Sequence, residues 1–342
     1  MKYKVIRQSK INSISKDLRE EKKRAYILLD NDTMKLVPVD KRMLNLGVKL
    51  DFKLFSIHEK THMSLFLQAD SVIDEDKKYK LQHVEKVYAL ESEKDKYNNF
   101  LELHLQKVIR DETLTLDEKT DIIYEASSDL TKELYNNPDA LKNSSLSEHI
   151  VTPILDTILH NEDTISSYLK IIEYDYYTHT HSLNVSVYAL CLGAQLNLEK
   201  DKLTALGKSA LLHDIGKSKI DPNIVNKEGV LTNEEFEIMK NHPSYGYEVA
   251  LHYNITDTDI LDGIKHHHEK VDGLGYPNHL TGNHLGLFPR VICVCDVFDA
   301  LTTKRSYKNA MSSYDALTLM KTHMASHFDT EILNIFIKML HE

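Results

Sequence analysis

The periodicity of the sequence changes once, near residue 95, and this change limits the fold class. Before it, short apolar segments separated by polar turns predict strands at 25–29, 34–39, 52–57 and 63–67. After it, Leu101, Leu105 and Val108 recur with helical spacing, and almost everything from residue 148 onward is predicted to be helical. Strands followed by helices, rather than alternating with them, indicate an α+β chain with a small β-rich module before an all-α unit.

A break in the helical pattern places the predicted domain boundary. Pro138 follows two asparagines and ends a helix, and a Ser/Asn-rich stretch follows at 143–147. We therefore expect an N-terminal module at 1–145, β-rich to about residue 90 and then a helical connector, and a second domain at 146–342. The module carries no recognisable phosphoacceptor or haem pattern, so a sensory, regulatory or dimerisation role is left open.

Charge and hydropathy exclude several classes of protein. Lys and Arg number 42 against 52 Asp and Glu, which gives a net charge of −10 without a basic tract, so duplex nucleic acid is not an expected partner. A local pocket can still be positive and take a small anion. Apolar runs such as 291–295 are too short to span a bilayer, and the N-terminus lacks a signal-peptide core, so we expect a cytoplasmic protein.

Histidine is the residue that most suggests chemistry. Ten of the 19 histidines fall between residues 179 and 284, and several lie close to aspartates. Imidazole and carboxylate ligands without thiolates favour catalytic sites for Mn, Fe, Co, Ni or Zn. An aspartate beside a histidine at a helix end can bridge two ions, and two ions about 3.5–4 Å apart suit phosphoester hydrolysis. The three cysteines are too few for a disulfide framework and are expected to be small buried residues.

Each of these clusters is weak evidence when taken alone. A single His-Asp pair is more often a hydrogen-bonded core histidine, and three successive histidines on a helix more often face solvent. The joint pattern carries more weight. His213 and Asp214 precede Ile-Gly-Lys217, and His267-His268-Glu runs closely into the Asp-Gly-Leu-Gly-Tyr-Pro segment at 272–277.

With these motifs, the chain resembles the HD-GYP family of cyclic dinucleotide phosphodiesterases, a branch of the HD phosphohydrolase superfamily. The resemblance extends from about residue 148 to the C-terminus. It implies an all-α core around a two- or three-metal centre that hydrolyses cyclic di-GMP. By position, it implies metal ligands at His181, His213, Asp214, His242, His267, His268 and Asp296, with Asp214 bridging.

The same resemblance implies residues that act on the substrate. Asp214 and Lys217 are the expected catalytic pair, with Lys217 touching the scissile phosphate as a compact positive charge. The expected substrate-binding residues are Lys217, Gly273, Gly275, Tyr276, Pro277, Arg305 and Lys308. Asp299 is expected to orient a ligand or cap a loop, and His266 to lie outside the ligand set.

One departure from the family pattern bears on the product. Members with three metals tend to carry Glu four residues before the first ligand histidine, whereas this chain has Tyr177. Because a phenol is a poor ligand at neutral pH, we expect two divalent ions, iron or manganese, and linear pGpG as the main product.

Two other functions compete with this hypothesis. The same chemistry could act on another cyclic dinucleotide or another phosphoester, since pocket shape decides the substrate. Alternatively, the chain is a signalling scaffold that binds the nucleotide without cleaving it. A homodimer is expected by analogy with signalling enzymes that have helical connectors, and signalling proteins are expected partners.

Overall fold

Strands and helices occupy separate parts of the chain. The computed structural model describes residues 3–5, 26–29, 32–58, 62–142, 146–161, 164–172, 178–303 and 310–340. The strands are Tyr3–Val5 (β1), Tyr26–Leu29 (β2), Asp32–Val39 (β3), Lys49–Leu50 (β4), Leu54–His58 (β5), His62–Leu67 (β6), Ser71–Val72 (β7) and Val87–Leu90 (β8). The α-helices are Glu75–Gln82 (α1), Lys94–Arg110 (α2), Leu116–Asn136 (α3), Leu146–His160 (α4), Thr164–Ile172 (α5), Thr178–Gln195 (α6), Lys200–Leu212 (α7), Pro222–Val225 (α8), Asn233–Met239 (α9), His242–His252 (α10), Thr258–His266 (α11), Leu287–Thr302 (α12), Ser313–Thr322 (α13) and Thr330–Met339 (α14). The predicted α+β class is confirmed.

The first compact unit is built around a small β-barrel. Strands β1, β2, β3, β8, β5 and β6 close in that order, with antiparallel pairing throughout. Leu36, Phe55, Met63, Tyr88 and Leu90 form one buried cluster. The four predicted strands match β2, β3, β5 and β6 to within two residues. The sequence does not predict β8, because all four of its residues are buried and no alternation marks them.

The division between the two units differs from the boundary expected at 145/146. The first unit ends at Asp111, so helix α3, which was expected to belong to the connector, is part of the second unit. Helix α3 packs against α4, α5 and α6, and it buries Ile122, Leu130 and Leu134 completely. Pro138 only begins a short 3-10 helix within this unit. The helix-breaking residue therefore lies inside this compact unit, which begins at Glu112.

Helix α6 is the central element of the second unit. Every residue from His181 to Leu192 is buried, as is typical of a helix surrounded by others. Helix α7 packs along α6, and α12 packs against α6 and α11. Within the described part of the chain, every helix is too short or too polar to span a bilayer.

A glycine sets the distance between two elements of this unit. Gly216 lies in the 3-10 helix Ile215–Lys219, directly against the start of α10. A Cβ at Gly216 would lie 2.0 Å from the carbonyl oxygen of His242 and 2.3 Å from the backbone nitrogen of Gly246. Because both contacts are with backbone atoms, a side chain cannot be accommodated without moving α10.

We expect Gly216→Ala to lower the free energy of unfolding by about 1–3 kcal/mol or more, because the added methyl overpacks a backbone contact. Chemical denaturation measures this change. The matched control is Lys219→Ala in the same 3-10 helix, where the side chain is exposed and the expected change is within about 0.5 kcal/mol. Equal unfolding midpoints for the two variants would contradict the close approach.

Candidate metal centre

Three histidines are held at helix ends by one repeated hydrogen bond. Each imidazole donates its Nδ1–H to the backbone carbonyl three residues earlier, where a helix is ending. The last carbonyls of a helix have no partner within it and are free to accept. The bonds are His213 to Ala210 (2.7 Å), His242 to Met239 (2.8 Å) and His267 to Ile264 (2.8 Å).

These bonds fix the tautomer of each imidazole. A carbonyl oxygen only accepts, so Nδ1 carries the hydrogen and Nε2 presents its lone pair. The Nε2 atoms of His242 and His267 lie 3.1 Å apart. Two lone pairs at this separation repel one another unless a cation lies between or beside them.

His181 is held by a carboxylate instead. Asp299, one turn after Asp296 on α12, accepts a 2.6 Å hydrogen bond from Nδ1 of His181. The Nε2 atom of His181 then points to the other side, 3.1 Å from Oδ1 of Asp296. The expectation that Asp299 orients a ligand agrees with this geometry.

Asp214 lies between the two sides of the cluster. Its Oδ1 atom is 3.2 Å from Nε2 of His242. Its Oδ2 atom is 3.5 Å from Nε2 of His213, 3.8 Å from Nε2 of His181 and 2.5 Å from Nζ of Lys217. The two oxygens of one carboxylate thus face different histidines, which is the arrangement that a bridging ligand needs.

Asp296 is the second carboxylate of the cluster. Besides His181, it lies 4.0 Å from Nε2 of His213 and 3.8 Å from Nδ1 of His268. Burial acts to raise the pKa of Asp296, but its close polar contact with the imidazole of His181 outweighs burial and holds the pKa well below its usual value. Asp296 is therefore an anion at neutral pH.

Four other groups of the cluster have shifted pKa values. Burial lowers the pKa of His213, lowers that of His267 much further and lowers that of His268 to about 3, so all three are neutral at pH 7. Burial opposes ionisation of Asp214, but the ammonium of Lys217 holds its pKa well below the usual range. Neutral imidazoles and ionised carboxylates are the forms that bind metal.

The cluster fits a divalent cation on its own chemistry. Nε2 of His213 and Oδ1 of Asp214 are buried and make no hydrogen bond, although such atoms are normally paired. Ligand atoms within 4.8 Å of one another form three groups: His242 with His267 and His268, His181 with His213 and Asp296, and His213 with Asp214 and His267.

The loop after His268 packs against this cluster. The ring of Tyr276 lies 4.8 Å from that of His268 at 31°. Glu269 is buried and accepts backbone hydrogen bonds from Asn278 and Leu280, which hold the loop in place. A Cβ at Gly275 would lie within 2.5 Å of the backbone at residues 268–270. The loop therefore lies directly on the backbone that carries His268.

Gly273 and Pro277 are the other predicted residues of this loop. Gly273 has a φ of +77° and donates a hydrogen bond from its backbone to Lys270, as a turn residue. Pro277 follows Tyr276 and is half-buried. Arg305, Lys308 and Tyr177 lie outside the described residues.

Several neighbouring residues take no direct part in the cluster. His266 lies within hydrogen-bond distance of Asp262 (2.7 Å) and Asn278 (3.1 Å) and belongs to none of the three groups. Cys191, Cys293 and Cys295 are free and buried, as predicted.

Sequence reasoning missed the supporting residues. The signal for Glu269 in the sequence is its position directly after two expected ligand histidines. Asn184 is the one amide in the apolar run after His181 and is fully buried. A buried amide predicts a hydrogen-bonding role, although the partner cannot be read from the sequence.

The comparisons with known proteins agree with this arrangement. A profile described as "HD domain" matches residues 161–332, which is half of the chain and includes every described ligand candidate. The chain belongs to the HD domain family. HD domains bind divalent metals, and this one has groups of residues that could hold them.

Relatives of this HD domain protein include enzymes of two named specificities. A cyclic di-GMP phosphodiesterase of Pseudomonas aeruginosa is 34% identical over 189 residues, which are 55% of this chain and 45% of the relative. The 3'3'-cGAMP-specific phosphodiesterase 3 of Vibrio cholerae is 31% identical over 216 residues, or 59% and 46% of the two chains. The chain thus spans about half the length of these relatives.

One solved structure shares the fold over most of the HD domain protein. It is Bd1817, a HDG"Y"P protein from Bdellovibrio bacteriovorus. The match has a TM-score of 0.64 at 19% identity and covers 90% of this chain and all of the other. At this identity the match shows the fold alone.

We expect Asp214→Asn to lower the amount of bound metal by at least half. The change keeps the size of the side chain but removes the charge that faces both histidine groups. Metal analysis after loading with Mn²⁺ and desalting measures the effect. Asp156→Asn makes the same change at a carboxylate paired with Lys200 and should leave the metal content unchanged. Equal metal contents in the two variants would count against a role for Asp214 as a ligand.

We also expect the metal-free protein to lose stability between pH 7 and pH 5. The unfolded chain protonates histidine near pH 6.5, whereas burial lowers the folded pKa values of His213, His267 and His268. The free energy of unfolding is therefore highest above about pH 6.5, and it decreases at lower pH by about 1 kcal/mol or more per pH unit.

Urea unfolding at each pH measures this slope. A variant with Gln at His213, His267 and His268 cannot take up these protons and should show a flatter profile. If the wild type and this variant have the same slope between pH 7 and pH 5, the three histidines are not responsible.

Proposed function

We propose that this chain is a metal-dependent phosphodiesterase that hydrolyses cyclic di-GMP, mainly to linear pGpG. The observation that carries the proposal is the position of Asp214, whose two oxygens face His242 on one side and His213 and His181 on the other. This arrangement supports a pair of divalent ions with a shared carboxylate, which is a frequent solution for phosphoester hydrolysis.

We assign the ligands to two ions, iron or manganese, along these sides. One ion takes His181, His213 and Asp296, and the other takes His242, His267 and His268, with Asp214 shared. When bound, such ions supply Lewis acidity that polarises a phosphoryl oxygen and activates a water molecule. Imidazole and carboxylate donors accept both metals, so the assignment to iron or manganese rests on the family resemblance.

Lys217 supplies the positive charge of the chain itself. Its ammonium lies 2.5 Å from Oδ2 of Asp214 and is half-buried at the edge of the cluster. At this position it can contact an oxygen of the scissile phosphate. Its positive charge would stabilise the negative charge that develops there in the transition state. Tyr276 offers an aromatic surface against which a guanine base can pack, since every base has a stacking face.

The substrate and the product come from different arguments. The relative named as a cyclic di-GMP phosphodiesterase supports cyclic di-GMP, whereas the cGAMP-specific relative supports a guanine–adenine dinucleotide as the second candidate. The two-ion assignment and pGpG rest on Tyr177, which stands where three-metal members carry Glu. A homodimer and signalling partners stay predictions.

The decisive experiment is a cleavage assay on protein loaded anaerobically with Fe²⁺ or Mn²⁺. We expect pGpG to accumulate, and we expect Lys217→Ala to reduce the rate on the order of 100-fold while the metal content is retained, because a charge near the phosphate is lost. The control is Lys219→Ala, an exposed lysine two residues away that should leave the rate unchanged.

The other outcomes separate the parts of the proposal. GMP as the end product would contradict the two-ion assignment and keep the enzyme. Cleavage of 3'3'-cGAMP without cleavage of cyclic di-GMP would overturn the substrate. Metal-loaded protein that binds either nucleotide but cleaves neither would indicate a scaffold.

A further inference from the structure

We propose that Tyr124 and Asn184 are positioning residues of the metal centre, which act on His181 through Asp299. The inference rests on the proposed metal centre, because it concerns how one of its ligands is held. Tyr124 lies on α3, before the segment that matches the HD domain profile. The proposal therefore assigns a role at the metal centre to a helix outside that segment.

A continuous series of hydrogen bonds joins these residues. The hydroxyl of Tyr124 donates to Oδ1 of Asn184 at 2.5 Å, and Nδ2 of Asn184 donates to Oδ1 of Asp299 at 2.9 Å. The other oxygen of Asp299 accepts from Nδ1 of His181 at 2.6 Å. Asn184, Asp299 and His181 are each at most 2% exposed.

The direction of this series follows from the donors and acceptors. A carboxylate only accepts, so Asn184 must turn its NH₂ group toward Asp299 and its oxygen toward Tyr124. The phenol hydroxyl is then the donor to that oxygen. With both oxygens of Asp299 engaged, His181 must carry its hydrogen on Nδ1, and its Nε2 lone pair faces Asp214 and Asp296.

Tyr124 thus selects the orientation of the Asn184 amide, and the amide in turn holds Asp299. Partners of this kind, which orient a metal-binding histidine through a carboxylate, typically change metal affinity 10- to 100-fold when removed. A purely structural role predicts something else: removal of a buried hydroxyl lowers stability and leaves the affinity for metal unchanged.

A second contact from the same helix supports this assignment. Tyr135, also on α3, donates its hydroxyl to the carbonyl of Leu211 at 2.9 Å, two residues before His213. Helix α3 therefore contacts the segments that carry His181 and His213. The two contacts are made to the helices that lead to different ligands, so α3 supports both of these ligand-bearing segments.

The test compares Tyr124→Phe with Tyr168→Phe. Tyr168→Phe is the matched control, because Tyr168 is completely buried. Among the described residues, its hydroxyl bonds only Thr157 on the neighbouring helix α4. Both variants lose one buried hydroxyl, so thermal unfolding reports comparable losses. Asn184→Ala is the second variant and interrupts the series at its middle.

Two readouts report on His181 itself. Titration of the metal-free protein with Mn²⁺, followed by electron paramagnetic resonance, gives the dissociation constant. We expect about a 10-fold increase for Tyr124→Phe, a larger one for Asn184→Ala and none for Tyr168→Phe. Nitrogen-15 spectra of the metal-free protein give the tautomer of His181, which should become mixed in the first two variants only.

Unchanged Mn²⁺ affinity and an unchanged tautomer in both Tyr124→Phe and Asn184→Ala would overturn the inference. An equal loss of Mn²⁺ affinity in Tyr168→Phe and Tyr124→Phe would also overturn the inference, because the effect would then follow from lost stability. If the wild type binds no Mn²⁺, the proposed metal centre fails, and the tautomer of His181 in metal-free protein still decides whether Tyr124 and Asn184 position it.

Discussion

The site depends on the hydrogen bonds that histidines His213, His242 and His267 donate to carbonyls at helix ends. An imidazole free in water exchanges its proton between two nitrogens and rotates. Here the tautomer and the ring orientation of each imidazole are both fixed, because a carbonyl without a partner inside its helix accepts the Nδ1–H. The ends of α7, α9 and α11 thereby serve both to terminate a helix and to aim a ligand atom.

The same helix ends shape the electrostatics of the cluster. The last turns of three helices carry partial negative charge, and two ionised carboxylates, Asp214 and Asp296, lie among the imidazoles. Within the described residues, Lys217 is the charged side chain that contacts Asp214. Burial of so much negative charge with so few positive groups is costly for a protein alone, and it favours a divalent cation.

The sequence was informative where residues that act together are also neighbours in the chain. His213 with Asp214, and His267 with His268, are adjacent, so the motif alone predicts that they act at one site. Tyr124, Asn184 and Asp299 come from three helices and meet only after folding, and no local pattern predicts that contact. The compact units divide at Asp111 and not at the predicted boundary for a related reason, since Pro138 marks a local break whereas the unit that α3 joins is defined by packing over long sequence distances.

The fold also shows where one module can be separated from the other. The second unit begins immediately after Asp111, and Thr115 starts α3 with a capping box in which its side chain and that of Glu118 satisfy each other's backbone groups. The first backbone groups of this helix are thus satisfied by residues Thr115 and Glu118 of the second unit itself. Among the described residues, those whose hydrogen bonds hold or orient the candidate ligands all follow residue 115, so a gene fusion at residues 111–115 would keep them together on one side of the junction.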